Sequence, residues 1–176
     1  YYALRERPAY HLRTSLPDRN PYWQFDDLTA LESAFGVRSA FYFLSEPHIL
    51  RKPLRALASP THWVQHFGRY DVTAPAIADE IRRLDRGGWE VGVHGSTATP
   101  SSPERLAEEK RRVEAVVDGR IDGGRQHYLR LGVPETWRHH RAVGLRYDAS
   151  YGASDSWGFD YGETPFRPFG DEFVDR

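Results

Sequence analysis

Four short strand-like runs alternate with helix-like stretches, and this alternation constrains the fold more than any other feature of the chain. The runs are residues 39–44, 89–94, 125–131 and 144–148. Between them lie 73–87, with Pro75 in its first turn and Gly87-Gly88 at its end, and 102–117, opened by Ser102-Pro103-Glu104. Serine before proline before glutamate is a helix start, and paired glycines are a helix stop. A shorter helix is predicted over 134–142, and another over 26–36, where Leu28, Leu31 and Phe35 fall at helical spacing ahead of Gly36. Strands separated by helices of about ten to fifteen residues imply βα units and a parallel sheet. The expected class is α/β, either an open doubly wound sheet or part of a barrel. Residues 45–72 have no sustained period and read as a long excursion loop.

Two of the strands end on histidine. Val91-Gly92-Val93-His94-Gly95-Ser96 and Arg125-Gln126-His127-Tyr128 each place an imidazole where a strand gives way to a loop. In a parallel sheet that rim is where ligands and reacting groups collect. His94 either turns into the mouth of the sheet or hydrogen-bonds a loop carbonyl. Alternation puts Arg125 and His127 on one face of their strand and Gln126 and Tyr128 on the other. So many polar groups fit a functional rim or an exposed edge strand. Asp148 ends the fourth run, where it serves either to orient a histidine or to cap the next turn.

Other candidates are weaker. His62 and His66 have the i, i+4 spacing of a helical metal pair but no glutamate between them. The adjacent His139 and His140 point in different directions from a short helix and are expected to face solvent. Asp26-Asp27 open a helix, where carboxylates complement its dipole. Tyr151, Trp157, Phe159, Tyr161 and Phe166 are available either to stack on a ligand or to fill a core.

Composition narrows the chemistry. The chain has no cysteine, so a metal would be held by His, Asp or Glu, and thiolate chemistry and disulfides are excluded. All but two of its cations are arginine (Lys52 and Lys110 are the exceptions), yet no basic block forms and the net charge is −1. Nucleic acid is therefore not an expected partner. No apolar run approaches the about 20 residues of a membrane span, and no leader sequence is visible. At 176 residues the chain has the size of one domain. It begins at Tyr1 with no methionine and ends at Arg176 without a helix stop, so it reads as a fragment lacking elements at both ends. The compartment stays open between cytoplasm and cell envelope.

Taken in order, these segments resemble the polysaccharide deacetylases with the NodB homology domain. Residues 36–43 look like the family's second strand and 88–96 like its histidine motif. Arg125-Gln126-His127-Tyr128 is similar to the arginine-led motif, and 144–150 to the strand that follows. The resemblance covers about residues 26 to 169. It implies a distorted (β/α) barrel, here partial, and removal of acetyl groups from an acetylated glycan with a divalent metal, often zinc. It also implies His94 as a metal ligand and Arg125 as the residue positioning a catalytic aspartate. The family's second histidine, four residues on, is Ala98 here, and His127 on the next strand is expected to replace it. The family's aspartate motif would fall near or before Tyr1; Asp26-Asp27 match it by letter and not by place. The candidate site is thus His94 and His127 for metal, Arg125 and Asp148 for catalysis, and Tyr128 and Trp157 for substrate. The alternative is a carbohydrate-binding or scaffold protein that keeps the fold without the chemistry.

Overall fold

The computed structural model describes residues 23–46, 58, 69–151, 167–168 and 172–175. The chain divides into two compact units, one of residues 1–39 and 47–70, the other of 40–46 and 71–176.

In the first unit, helix α1 spans Phe25–Ala34 with Asp26 and Asp27 in its first turn, where their charge complements the helix dipole. Its N-cap residue, Gln24, makes no side-chain cap. Leu28, Leu31 and Phe35 do share a stripe, but all three are exposed, Phe35 at 75%, and the buried residue of the helix is Thr29. Helical spacing reveals a common face without revealing whether anything covers it.

The second unit holds the sheet. Strand β1 (Ala40–Leu44) is followed by helix α2 (Pro75–Arg86), β2 (Glu90–Gly95), helix α3 (Pro103–Glu114), β3 (Gly123–Gln126), helix α4 (Glu135–Ala142), β4 (Tyr147–Asp148) and β5 (Val174–Asp175). Pro75 opens α2 at a position where its missing N–H costs nothing. Ser102 caps α3, its Oγ accepting from the Arg105 N–H at 3.3 Å. The five strands are all parallel and lie in chain order, β1 to β5. Among the described residues strand order never reverses, and none of their crossovers makes a topological switch point of the kind a doubly wound sheet has. Among the described residues the sheet is open.

Crossovers of one hand that all step the same way place their helices on one face of the sheet. Pairing of Leu44 with His94, His94 with Arg125, and Gly123 with Tyr147 then sorts the side chains. Phe43, Val91, Val93, Gly124, Gln126 and Asp148 belong to the helix-covered face, where α2 and α3 pack on β2 and α4 packs on β4. Ile81, Leu84, Leu106 and Val113 complete that core, each fully buried. Tyr42, Glu90, Gly92, His94, Gly123, Arg125 and Tyr147 belong to the other face.

Two glycines on that second face have a steric reason. A Cβ on Gly92 would lie 2.5 Å from the Tyr42 ring, and one on Gly123 would lie 2.1 Å from the Tyr147 ring. The two tyrosines lean over these gaps, and the Tyr42 hydroxyl donates to that of Tyr147 at 3.1 Å. Burial pushes both phenols up from their ordinary range, so both keep their protons and the bond persists.

Candidate functional site

β2 runs through Val91 and Val93 into the core and delivers His94 half-buried near its C-terminal end. β3, directly beside it, places Arg125 opposite His94 and ends one residue later at Gln126. This is shorter than the predicted strand over 125–131, because the chain then tightens into a single turn over His127–Leu129. Tyr128 and Leu129 both take left-handed backbone, at φ 57° and 52°. Side chains with a Cβ adopt that region at a cost of roughly 1–2 kcal/mol per residue. The turn keeps His127 on the His94 side.

The two imidazoles meet. His94 Nε2 lies 2.9 Å from His127 Nδ1, with the rings edge to face at 76° and centroids 5.1 Å apart. At that separation one nitrogen carries a proton and the other accepts it. Tyr128 lies against His127, centroids 4.1 Å apart, and is 69% exposed. Arg130 ties the two loops together by donating to the Thr97 carbonyl at 3.3 Å. Arg125 stands on the same face, close enough to favour the charged form of the Tyr42 phenol, although burial of Tyr42 outweighs it.

Two nitrogens bound to one zinc at about 2.0–2.1 Å in tetrahedral geometry are separated by about 3.4 Å. The observed pair therefore needs to open by only about half an ångström, and to lose its shared proton, to act as two ligands of one ion. Among the described residues no group of three His, Asp or Glu converges on a metal position.

Asp148 is elsewhere. It is fully buried on the helix-covered face, opposite to His94 and His127. Its Oδ1 accepts from the Ser150 N–H at 2.7 Å and its Oδ2 from the Ser150 hydroxyl at 2.9 Å. The same oxygen lies 2.8 Å from His140 Nδ1, close for an ion pair but poorly angled for a hydrogen bond. It both caps the next turn and contacts a histidine, and that histidine is His140.

His140 corrects the expectation that the adjacent pair faces solvent, for it is completely buried. The Gln126 amide nitrogen donates to its Nε2 at 2.5 Å, while Gln126 Oε1 lies 2.6 Å from Thr99 Oγ1. His139 is half-buried, its Nδ1 3.0 Å from the Pro100 carbonyl. Helix spacing alone does not reveal a buried histidine whose partners are remote in sequence. The parity of Gln126, which sends it to the core face, was the one available signal.

Near the same rim, the Glu109 carboxylate accepts from the Ser96 N–H at 2.9 Å. Burial raises the carboxyl pKa, and hydrogen bonds from Ser96 offset that only in part. Tyr151 packs edge-on against buried Trp137, with centroids 6.0 Å apart, as a core residue does. Trp157, Phe159, Tyr161, Phe166, His62 and His66 lie outside the described residues.

An α/β unit with a parallel sheet and two histidines on its C-terminal rim is thus the class that fold and site define. No family model matches the chain, and no curated protein does. Its fold is similar to the crystal structure described as "putative polysaccharide deacetylase from Mycobacterium smegmatis", with a TM-score of 0.55 and 14% sequence identity. The match covers 99% of this chain and 51% of that one, so the chain spans about half the length of its structural neighbour.

Proposed function

We propose that the protein is a metal-dependent hydrolase that removes acetyl groups from an acetylated polysaccharide or glycan. The observation that carries this reading is the convergence of His94 and His127, 2.9 Å apart on the rim of a parallel sheet. The likeness in fold to a protein described as a polysaccharide deacetylase supports it. On this reading the sheet belongs to a distorted (β/α) barrel of the NodB type.

His94 and His127 would hold a divalent ion, zinc by the preference of imidazole donors, and would supply two of the three protein ligands a catalytic site needs. An ion bound there would supply Lewis-acid polarisation of an acetyl carbonyl and of a water. Arg125, opposite His94 on the same face, offers a fixed cation that orients a carboxylate. The exposed ring of Tyr128 offers a face to a sugar beside the metal position. Asp148 acts from the far side of the sheet through His140 and touches no substrate. Trp157 keeps its proposed role in substrate contact.

The test is the zinc content of the purified protein and of His94→Ala and His127→Ala variants. Near-equimolar zinc in the parent and none in either variant is the expected result, with acetate release from acetylated glycans as the companion assay. Full zinc retention in His127→Ala removes that residue from the ligand set. Zinc in neither parent nor variants overturns the metal reading. A second reading, glycan binding without chemistry, draws on the lack of a third converging ligand among the described residues. Glycan binding without metal and without acetate release would establish it.

A further inference from the structure

The helix-covered face carries a chain of polar side chains that a core of this size does not need for stability. Thr99, Gln126, His140 and Asp148 are all completely buried, and Ser150 nearly so. They run in contact from the Ser96 carbonyl through Thr99, Gln126 and His140 to Asp148 and Ser150. Well-packed apolar residues would commonly serve stability as well or better than a buried polar chain. Such a chain demands a unique arrangement, because each member is costly unless its partners are in place.

Its position gives it something to arrange. Gln126 is the residue immediately before His127, and it is fixed at three points. Its amide touches Thr99 and His140, and its backbone N–H donates to Ser150 Oγ at 2.8 Å. The next residues but one, Tyr128 and Leu129, are in left-handed backbone. A strained turn persists only where the structure on either side over-determines it. On the neighbouring strand the same amide sits over Gly95, the residue after His94. A Cβ there would lie 2.4 Å from Thr99 Oγ1 and 2.7 Å from Gln126 Oε1. One buried side chain is therefore anchored immediately before His127 and packs closely against the backbone immediately after His94.

We propose that Gln126, braced by Thr99 and by the His140–Asp148 pair, is a positioning residue that sets the spacing of His94 and His127 through the sheet. The proposal deepens the metal-site reading and rests on it for its consequence, though not for its geometry. The closing experiment separates the two. Cobalt(II) affinity, read from visible absorption, is compared for the parent, Gln126→Leu and Gln126→Glu, together with the imidazole 15N signals of His94 and His127 in the metal-free proteins.

Leucine preserves the volume and removes both contacts; glutamate keeps an oxygen toward Thr99 and, with a proton on its buried carboxyl, the donor toward His140. The expected result is a roughly 10–100-fold loss of cobalt affinity in the leucine variant, the range for partners that orient metal ligands. Affinity within about 3-fold of the parent is expected for the glutamate variant, on the same reasoning. The two imidazole signals should move in the leucine variant and return in the glutamate one. A folded leucine variant with parental cobalt affinity and unmoved signals overturns the proposal. If the parent binds no metal, the metal-site reading fails while the ring signals still decide the positioning role. If the leucine variant does not fold, Thr99→Val replaces it. It should shift the same two signals in the same direction by less, and unmoved signals there overturn the proposal.

Discussion

Each face of the sheet presents histidine, and the two faces treat it in opposite ways. On the face away from the helices His94 and His127 are half-buried and turned toward each other, with a shared proton between two ring nitrogens. On the helix-covered face His140 is sealed from water between an amide and a carboxylate. A ring confined by fixed neighbours orients other groups; a ring whose nitrogen meets another imidazole can exchange that neighbour for a ligand. The contrast teaches that burial and partnership, rather than residue type, separate a structural imidazole from one available for chemistry.

The contrast can be broken most sharply on the face away from the helices. His94→Ala should take zinc or cobalt binding below detection while shifting the thermal midpoint by no more than a few degrees, as checked by metal titration beside a melting curve. A large fall in stability with metal binding retained would erase the distinction. Asp148→Ala should act chiefly on stability, with only a partial loss of metal affinity through the loosened His140 and Gln126. It leaves His140 and the Ser150 N–H unmatched in the core, at an expected cost of about 3–5 kcal/mol in urea unfolding.

Glu109→Gln sharpens the comparison through pH. The folded-state pKa of Glu109 lies above its unfolded value, chiefly through burial. Its favourable contribution is therefore complete below the ordinary carboxyl range and is lost as pH rises through the folded value. The variant, which cannot ionise and still presents an oxygen to the Ser96 N–H, should match the parent in acid and exceed it at neutral pH. Paired urea titrations across that interval measure the difference, and a variant less stable at neutral pH would contradict the assigned cause. The smallest effect belongs to Ser102→Ala, which removes the cap of α3 and should cost about 1 kcal/mol without altering metal binding.

Much of this architecture was legible in the sequence because its punctuation is strong. Ser102-Pro103 opens α3 where predicted, and Pro75 opens α2. The meeting of His94 with His127 was readable because both sit at strand-to-loop transitions on strands expected to be neighbours. Three things were not readable. The two-residue β5 is too short to carry a period. The early end of β3 follows from left-handed backbone at Tyr128 and Leu129, residues with no local signature for it. The burial of His140 depends on Gln126 and Asp148, which reach it only after the sheet and α4 have assembled. The apolar stripe of α1 shows the converse limit, since spacing identified its residues and left their exposure undetermined.

The tyrosines seated over Gly92 and Gly123 bind four positions into two heritable units. A side chain gained at either glycine needs space that Tyr42 or Tyr147 must give up, and at Gly92 the Gly123 carbonyl, 3.0 Å from the new Cβ, must yield as well. Descendants of this sequence should therefore exchange Tyr42 with Gly92, and Tyr147 with Gly123, as pairs. The hydroxyl bond between the tyrosines further couples one pair to the other. Drift in this part of the sheet is confined to concerted steps, while the exposed stripe of α1 remains free to change one residue at a time.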